Sequence, residues 1–242
     1  LERLEKALNI CTEAAGSKNR SVARVLTLMG NCYDRMGRLD EALAKHKRAL
    51  VISRIVSGDG SDDVAASLTN IGAIFSAKGM LVEARAKYEE ALEITRRVRG
   101  EKHPDVAGGL NNIANVLRKQ GQLDEALEMH QKALKIRRRA LGEDHVDVAM
   151  SLHNIGRVYA GQGKHVEALE MYGKALATFD RALGVDNRNS ARVYDDIAMS
   201  KKRSGDDAGA LESARESVRI YTKLGINDTI SQQAANLLRM LS

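Results

Sequence analysis

The sequence predicts an all-α chain of stacked, antiparallel helix pairs, and three observations predict it. Composition is the first. The 242 residues are 43% hydrophobic, yet only 3% are aromatic, Trp is absent and Pro104 is the single proline. A β-sandwich or barrel draws on aromatic and β-branched residues and on turn prolines, so helices are favoured. The second is an internal repeat. Written in rows of 42 residues from Ser21, Asp63, Asp105, Asp147 and Asn189, the rows from Asp105 and Asp147 share 22 positions and those from Asp63 and Asp105 share 18. Unrelated rows of average composition share about two to four. The third is helical spacing inside each row, as in Ala107, Leu110, Ile113, Ala114 and Leu117.

The elements follow in chain order. Residues 1–20 align with the second helix of a repeat whose first helix is missing. Full repeats then occupy 21–62, 63–104, 105–146, 147–188 and 189–230, and 231–242 begin a further or capping helix. In each full repeat a glycine (Gly37, Gly79, Gly121, Gly163, Gly205) closes the first helix, where a C-cap needs a residue tolerant of the left-handed region. The second helix follows, for example from Leu123 to about Leu141. Small residues face each other in the pair, Gly72, Ala114 and Gly156 against Ala84, Ala126 and Ala168, and let two backbones approach. One pair cannot bury both faces alone, so neighbours must stack. The ends offer no obvious polar cap, which reads as part of a longer chain. The fifth repeat departs most, with Lys201 where Tyr33, Phe75, Leu117 and Tyr159 stood.

The stretch "LGEDHVDVAMSLHNIG", residues 141–156, gathers acids and histidines in a way that suggests a metal or an acid/base pair. The repeat argues otherwise: Asp147 has counterparts Asp63 and Asp105, His145 has His103, and Asn154 has Asn70 and Asn112. A joint between repeats recurs at a fixed period, whereas a single catalytic site does not. Asp at this position is expected to cap the first helix by accepting backbone N–H groups. No HExxH or zinc-spaced Cys/His pattern appears, and "SGDGSDD", residues 57–63, lacks the spaced ligands of a calcium loop. The sequence therefore predicts no enzyme, no cofactor and no structural metal. Cys11 and Cys32 form no CxxC and suit a reducing, cytoplasmic setting. No run of eighteen apolar residues predicts a membrane span.

"DVAGGLNNIANVLRKQGQLDEALEMHQKALKIRRRALGEDH", residues 105–145, and its copies resemble the tetratricopeptide repeat, in the 42-residue version found in kinesin light chains. The resemblance spans nearly the whole chain and implies a right-handed α-solenoid acting as a protein–protein scaffold or adaptor. It also implies that first helices line a groove that receives an extended peptide or a partner's helix. The positions carried over include Asn70, Asn111, Asn112, Asn115, Arg118 and Lys119, then His153, Asn154 and Arg157. Asn offers both donors and acceptors to an extended main chain, and Arg grips carboxylates. Asn70, Asn112 and Asn154 could equally tie neighbouring helices together.

Across thirty such positions in five repeats, eight bases (Arg24, Arg35, Arg118, Lys119, Arg157, Arg192, Lys202, Arg203) stand against three acids (Asp34, Asp195, Asp196). The balance is +5 of a whole-chain +6. A concave surface of one sign attracts the other, so the expected partner is an acidic protein segment. The densest basic run, "KIRRR" at 135–139, lies on a second helix that the family turns outward or into the next repeat. Nucleic acid is not expected, because single-strand binding wants aromatic platforms that this chain lacks. The competing reading is a purely architectural rod that uses its convex face or its ends.

Overall fold

The computed structural model describes residues 1–241, so Ser242, the last residue of the expected terminal helix, lies outside them. Among the described residues there are twelve α-helices and no strand. Two compact units divide the chain. The first, Leu1–Gly121, holds α1 (Glu2–Ala15), α2 (Arg20–Arg35), α3 (Leu39–Ser57), α4 (Asp62–Ala77), α5 (Leu81–Arg99) and α6 (Pro104–Lys119). The second, Gln122–Ser242, holds α7 (Leu123–Leu141), α8 (Val146–Gly161), α9 (His165–Leu183), α10 (Arg188–Arg203), α11 (Asp207–Lys223) and α12 (Thr229–Leu241). Within each unit every helix packs on its neighbours in chain order. The pairs α2/α3 and α4/α5 in the first unit, and α8/α9 and α10/α11 in the second, form antiparallel hairpins.

Glycines set the joints. Gly37 has φ 72°, donates its N–H to Asp34 O, and is followed by Arg38, whose N–H reaches back to Tyr33 O. That doublet closes an α-helix on a left-handed residue, and it recurs after α4, α8 and α10. Lys201 does not disturb it, since the Asp206 N–H still bonds Lys201 O. Sequence reading singled out this series alone. A second one closes the longer helices: Gly58, with φ 80° and ψ 156°, sits in a region open essentially only to glycine, as do Gly100, Gly142 and Gly184. Positive-φ glycines thus fall every 21 residues from Gly16 to Gly205.

Helix starts require one correction. Asp105 and Asp147 do not cap α6 and α8. The N-cap residues are His103 and His145, whose Nδ1 atoms accept the backbone N–H of Asp105 at 3.2 Å and of Asp147 at 3.1 Å. The aspartates sit in the first turn, where their charge meets the positive end of the helix dipole. Imidazole sits where the chain is still extended and an acceptor is required, one residue earlier than the periodic Asp suggested.

The cores lie between paired helices. Val22, Leu26, Ala49 and Ile52 fill α2/α3, and Val64, Leu68, Ile71, Ala91 and Ile94 fill α4/α5. In the second unit Leu152, Ile155, Tyr172, Phe179 and Val193 belong to another such cluster. Each of these bulky side chains contributes about 1.5–3 kcal/mol by leaving water. A ring packed on a glycine sets how closely each pair approaches. A Cβ at Gly156 would lie 2.5 Å from the Tyr172 ring, one at Gly72 2.9 Å from Tyr88, and one at Gly30 2.6 Å from His46. In α10/α11 the ring is gone, and Ala214 shares a core with Ala198 instead.

Candidate functional site

The expected face divides between the units. Asn70, Asn111, Asn112, Asn115, Arg118 and Lys119 belong to the first, and His153, Asn154 and Arg157 to the second.

In the first unit, α2, α4 and the end of α3 enclose a cleft of about 260 Å³. Arg24, Thr27, Leu28, Ala66 and Asn70, all at first-helix face positions, line it. The cleft exists because Ser53 is short. Its counterparts one, two, three and four repeats on are Thr95, Arg137, Phe179 and Tyr221, and the last three are large, buried side chains. At the rim, Arg20 pairs with Asp63 at 3.0 Å, and the Ser57 hydroxyl donates to the same carboxylate at 2.8 Å. Arg24 is exposed. On α6, Asn111, Asn112, Asn115 and Arg118 are half-buried. Lys119 reaches across to α4 and donates to Ser76 O and Oγ at 3.2 and 2.9 Å. Lys119 thus braces two first helices while its charge stays at the surface.

The second unit treats the same positions differently. His153 is only 4% exposed, and its Nε2 lies 2.7 Å from Asp196 Oδ2. Arg157 Nε approaches that oxygen at 3.5 Å. Burial pushes the imidazole below its ordinary value despite the carboxylate, so a neutral ring donates Nε2–H to an ionised Asp196. Burial alone would raise Asp196, but His153 and Arg157 hold it below the usual carboxylate range. The His153 ring also meets Tyr172 edge-on, with centroids 5.7 Å apart. Asn154 is buried too, as a residue tying helices together would be. In this unit the face is largely a fastening between α8 and α10. Sequence reading counted Asp196 only as an acid; a carboxylate one repeat on from an Asn column was the available signal of a cross-helix partner.

Arg137, within the basic run on α7, takes the second of the two directions expected for that run, into the next repeat. It points inward, 8% exposed, and donates to Asp147 O at 3.1 Å and Ser151 Oγ at 2.8 Å. Its guanidinium occupies the position that Phe179 fills one repeat later. Lys135, Arg138 and Arg139 are the outward members of the run.

Chemically, these surfaces present amides, hydroxyls and guanidinium groups that can hold an extended main chain and carboxylates. No group of three or more His, Cys, Asp or Glu able to hold a metal occurs among the described residues, and both cysteines are free. No described helix is long and apolar enough to cross a membrane.

Comparison with known proteins agrees with this architecture. BtubC (BKLC) from P. vanneervenii superposes with a TM-score of 0.76 at 18% identity, over 94% of this chain and 91% of that one. A Podosopora anserina kinesin light chain-like protein of nearly identical TPR-like repeats gives 0.68 at 20% identity, over 87% of this chain and 100% of that one. The MamA protein gives 0.52 at 15%, over 83% and 92%. No curated protein sequence matches this chain. The sequence profile of the tetratricopeptide repeat matches residues 1–55, 63–108, 105–181 and 148–223. With helix pairs, glycine joints and profile in agreement over nearly its whole length, the chain belongs to the tetratricopeptide repeat family, whose members generally act as non-enzymatic scaffolds for protein partners.

Proposed function

We propose that this scaffold binds an acidic, partly extended segment of a protein partner on its first-helix face, and that the first unit supplies the main contacts. The observation that carries this reading is the open cleft between α2 and α4, with exposed Arg24 at its wall and Asn70 beside it. Charge supports it. The carried-over face positions of the first unit carry Arg24, Arg35, Arg118 and Lys119 against Asp34, and Asp63 at the cleft rim is paired with Arg20. A low-dielectric wall under such a surface focuses the potential on an incoming carboxylate. Asparagines supply main-chain contacts, and in this reading the setting is a reducing cytoplasm in which Cys11 and Cys32 stay free thiols. Within the second unit His153, Asn154 and Arg157 form that unit's own part of the proposed surface, His153 by orienting Asp196 rather than by direct contact.

The test is a pull-down with synthetic acidic peptides, comparing wild type with Arg24→Glu/Arg118→Glu. Arg157 is left intact because reversing it would set two carboxylates together. One exposed ion pair is worth only about 0.2–1 kcal/mol, so the double reversal is needed. Binding should disappear with helical content unchanged, and should weaken in wild type as salt shortens the Debye length to about 8 Å. Arg138→Glu/Arg139→Glu, on the outer side of α7, should bind as wild type does. Equal recovery by wild type and the Arg24/Arg118 variant refutes the reading and leaves the architectural rod.

A further inference from the structure

One joint between repeats differs chemically from the others. The turn after α3 reads Gly58-Asp59-Gly60-Ser61 and holds the only Asp-Gly pair in the 242 residues. The same two positions carry Glu101-Lys102, Glu143-Asp144 and Val185-Asp186 at the joints that follow. The turn is pinned at both ends. Gly58 donates its N–H to Arg54 O at 3.1 Å, and the Ser61 N–H and hydroxyl reach Gly58 O at 3.3 and 2.8 Å. Between those bonds the Gly60 N–H donates to no backbone carbonyl. The Asp59 side chain is 85% exposed, and a Cβ placed on Gly60 would meet nothing nearer than Arg97 Nη1 at 3.9 Å. The peptide nitrogen beside this carboxyl is therefore neither bonded nor crowded. One contact restrains the carboxyl: Arg54 Nε lies 3.2 Å from Asp59 Oδ1, while Arg54 Nη2 bonds Glu90.

The chemistry open to such a pair needs only the chain and water. The Gly60 nitrogen bonds to Asp59 Cγ, and a carboxyl oxygen leaves as water with the proton of the nitrogen, closing a succinimide ring. Water then opens the ring at one of two bonds. Breaking N–Cγ restores aspartate. Breaking the bond between nitrogen and the main-chain carbonyl carbon of Asp59 leaves the chain running through Cβ and Cγ, which is isoaspartate. Aspartates at the helix starts are closed to this route. Asp105 and Asp147 precede Val106 and Val148, whose nitrogens donate to His103 O at 3.0 Å and His145 O at 2.9 Å and are shielded by a branched side chain.

We propose that Asp59–Gly60 is a modification site, at which aspartate converts spontaneously to isoaspartate, and that Arg54 restrains the conversion by tying the carboxyl to α3. The product has the same mass and the same charge, but its main chain is one methylene longer between Gly58 and Ser61. That joint carries Ser57 and Asp63, which are bonded to each other at the cleft rim. The site stands apart from the acidic-segment reading, since it takes no ligand, and either can fail alone.

The test incubates the folded 242-residue chain in heavy-oxygen water, with helical content followed by circular dichroism, and digests it afterwards in ordinary water. Each ring opening leaves one heavy oxygen on residue 59, whichever product forms, and electron-transfer fragmentation separates aspartate from isoaspartate. Label and isoaspartate should accumulate at Asp59 and stay at background at Asp105 and Asp147. Gly60→Val, at a position with room for a side chain, should cut the label severalfold without loss of helix. Arg54→Gln should raise it by about 1.5- to fivefold, the equivalent of one exposed ion pair. Label at Asp59 no greater than at Asp105, undiminished label in Gly60→Val, or an unchanged rate in Arg54→Gln overturns the proposal.

Discussion

The two units use the same positions of the same repeat for different ends. In the first, the face left by α2 and α4 is open: Ser53 is too short to fill the space and Arg24 is exposed. In the second, His153 and Arg157 on α8 are fastened to Asp196 on α10, and the large Phe179 and Tyr221 plug the column that Ser53 leaves empty. The repeat therefore fixes where side chains stand but not whether they line open space or fasten to each other. Bulk at one buried column and one carboxylate on the next helix decide between those outcomes.

The largest expected effect tests that fastening. Asp196→Ala should strip the partner from the buried, neutral His153 and from the half-buried Arg157 and cost about 1–3 kcal/mol, the range for leaving a buried donor unsatisfied. Arg24→Ala on the open face should change stability by less than about 0.5 kcal/mol. Urea unfolding of both variants decides it. Similar losses would erase the distinction between the units.

A middle-sized effect comes from two of the three buried histidines, one from each unit. His46 is almost wholly buried against Gly30 with Nδ1 lacking a partner, and His153 is buried but bonded to Asp196. Burial lowers both in the folded state. The unfolded chain then takes up protons first, so stability is fully present above 6.5 and falls as the pH drops below that value toward the depressed folded one. His46→Tyr borrows the residue that packs on glycine at Tyr88 and Tyr172. It should flatten part of the acid limb of the melting temperature between pH 7 and pH 5, with the rest surviving through His153. An unchanged limb would mean that His46 is solvated on acidification rather than held neutral.

The smallest effect concerns caps. His145→Ala should cost about 0.5–1 kcal/mol, as loss of an N-cap acceptor does, whereas His145→Asn should recover most of it. Asp147→Ala should cost less, about 0.3 kcal/mol, because Asp147 acts through the helix dipole and its attraction to Arg137 rather than as the cap. The reverse order in thermal melts would restore the aspartate as the cap.

Much of this was legible in the sequence. A 42-residue period with helical spacing yields the helix pairs, and Leu123–Leu141 matches α7. What escaped depended on side-chain direction rather than period. Arg137 reads as part of a basic run that faces either outward or into the next repeat until it is set in its column with Ser53, Phe179 and Tyr221, all buried. His145 was outranked as a cap by Asp147 because acids are the commoner N-cap acceptors. For the proposed face, residue type named the helices but could not say that His153 is buried against Asp196, 43 residues away.

The glycine joints have a consequence for copy number. Because glycine-only bends fall every 21 residues, alternating between two geometries, the chain is punctuated in units that any whole repeat preserves. Adding or deleting 42 residues leaves each remaining bend of the right kind in the right place. A change of 21 would set like bends side by side and ask a second helix to follow a second helix. Array length can therefore vary by whole repeats without redesigning a single turn, while each copy remains at liberty to specialise one buried column or one carboxylate.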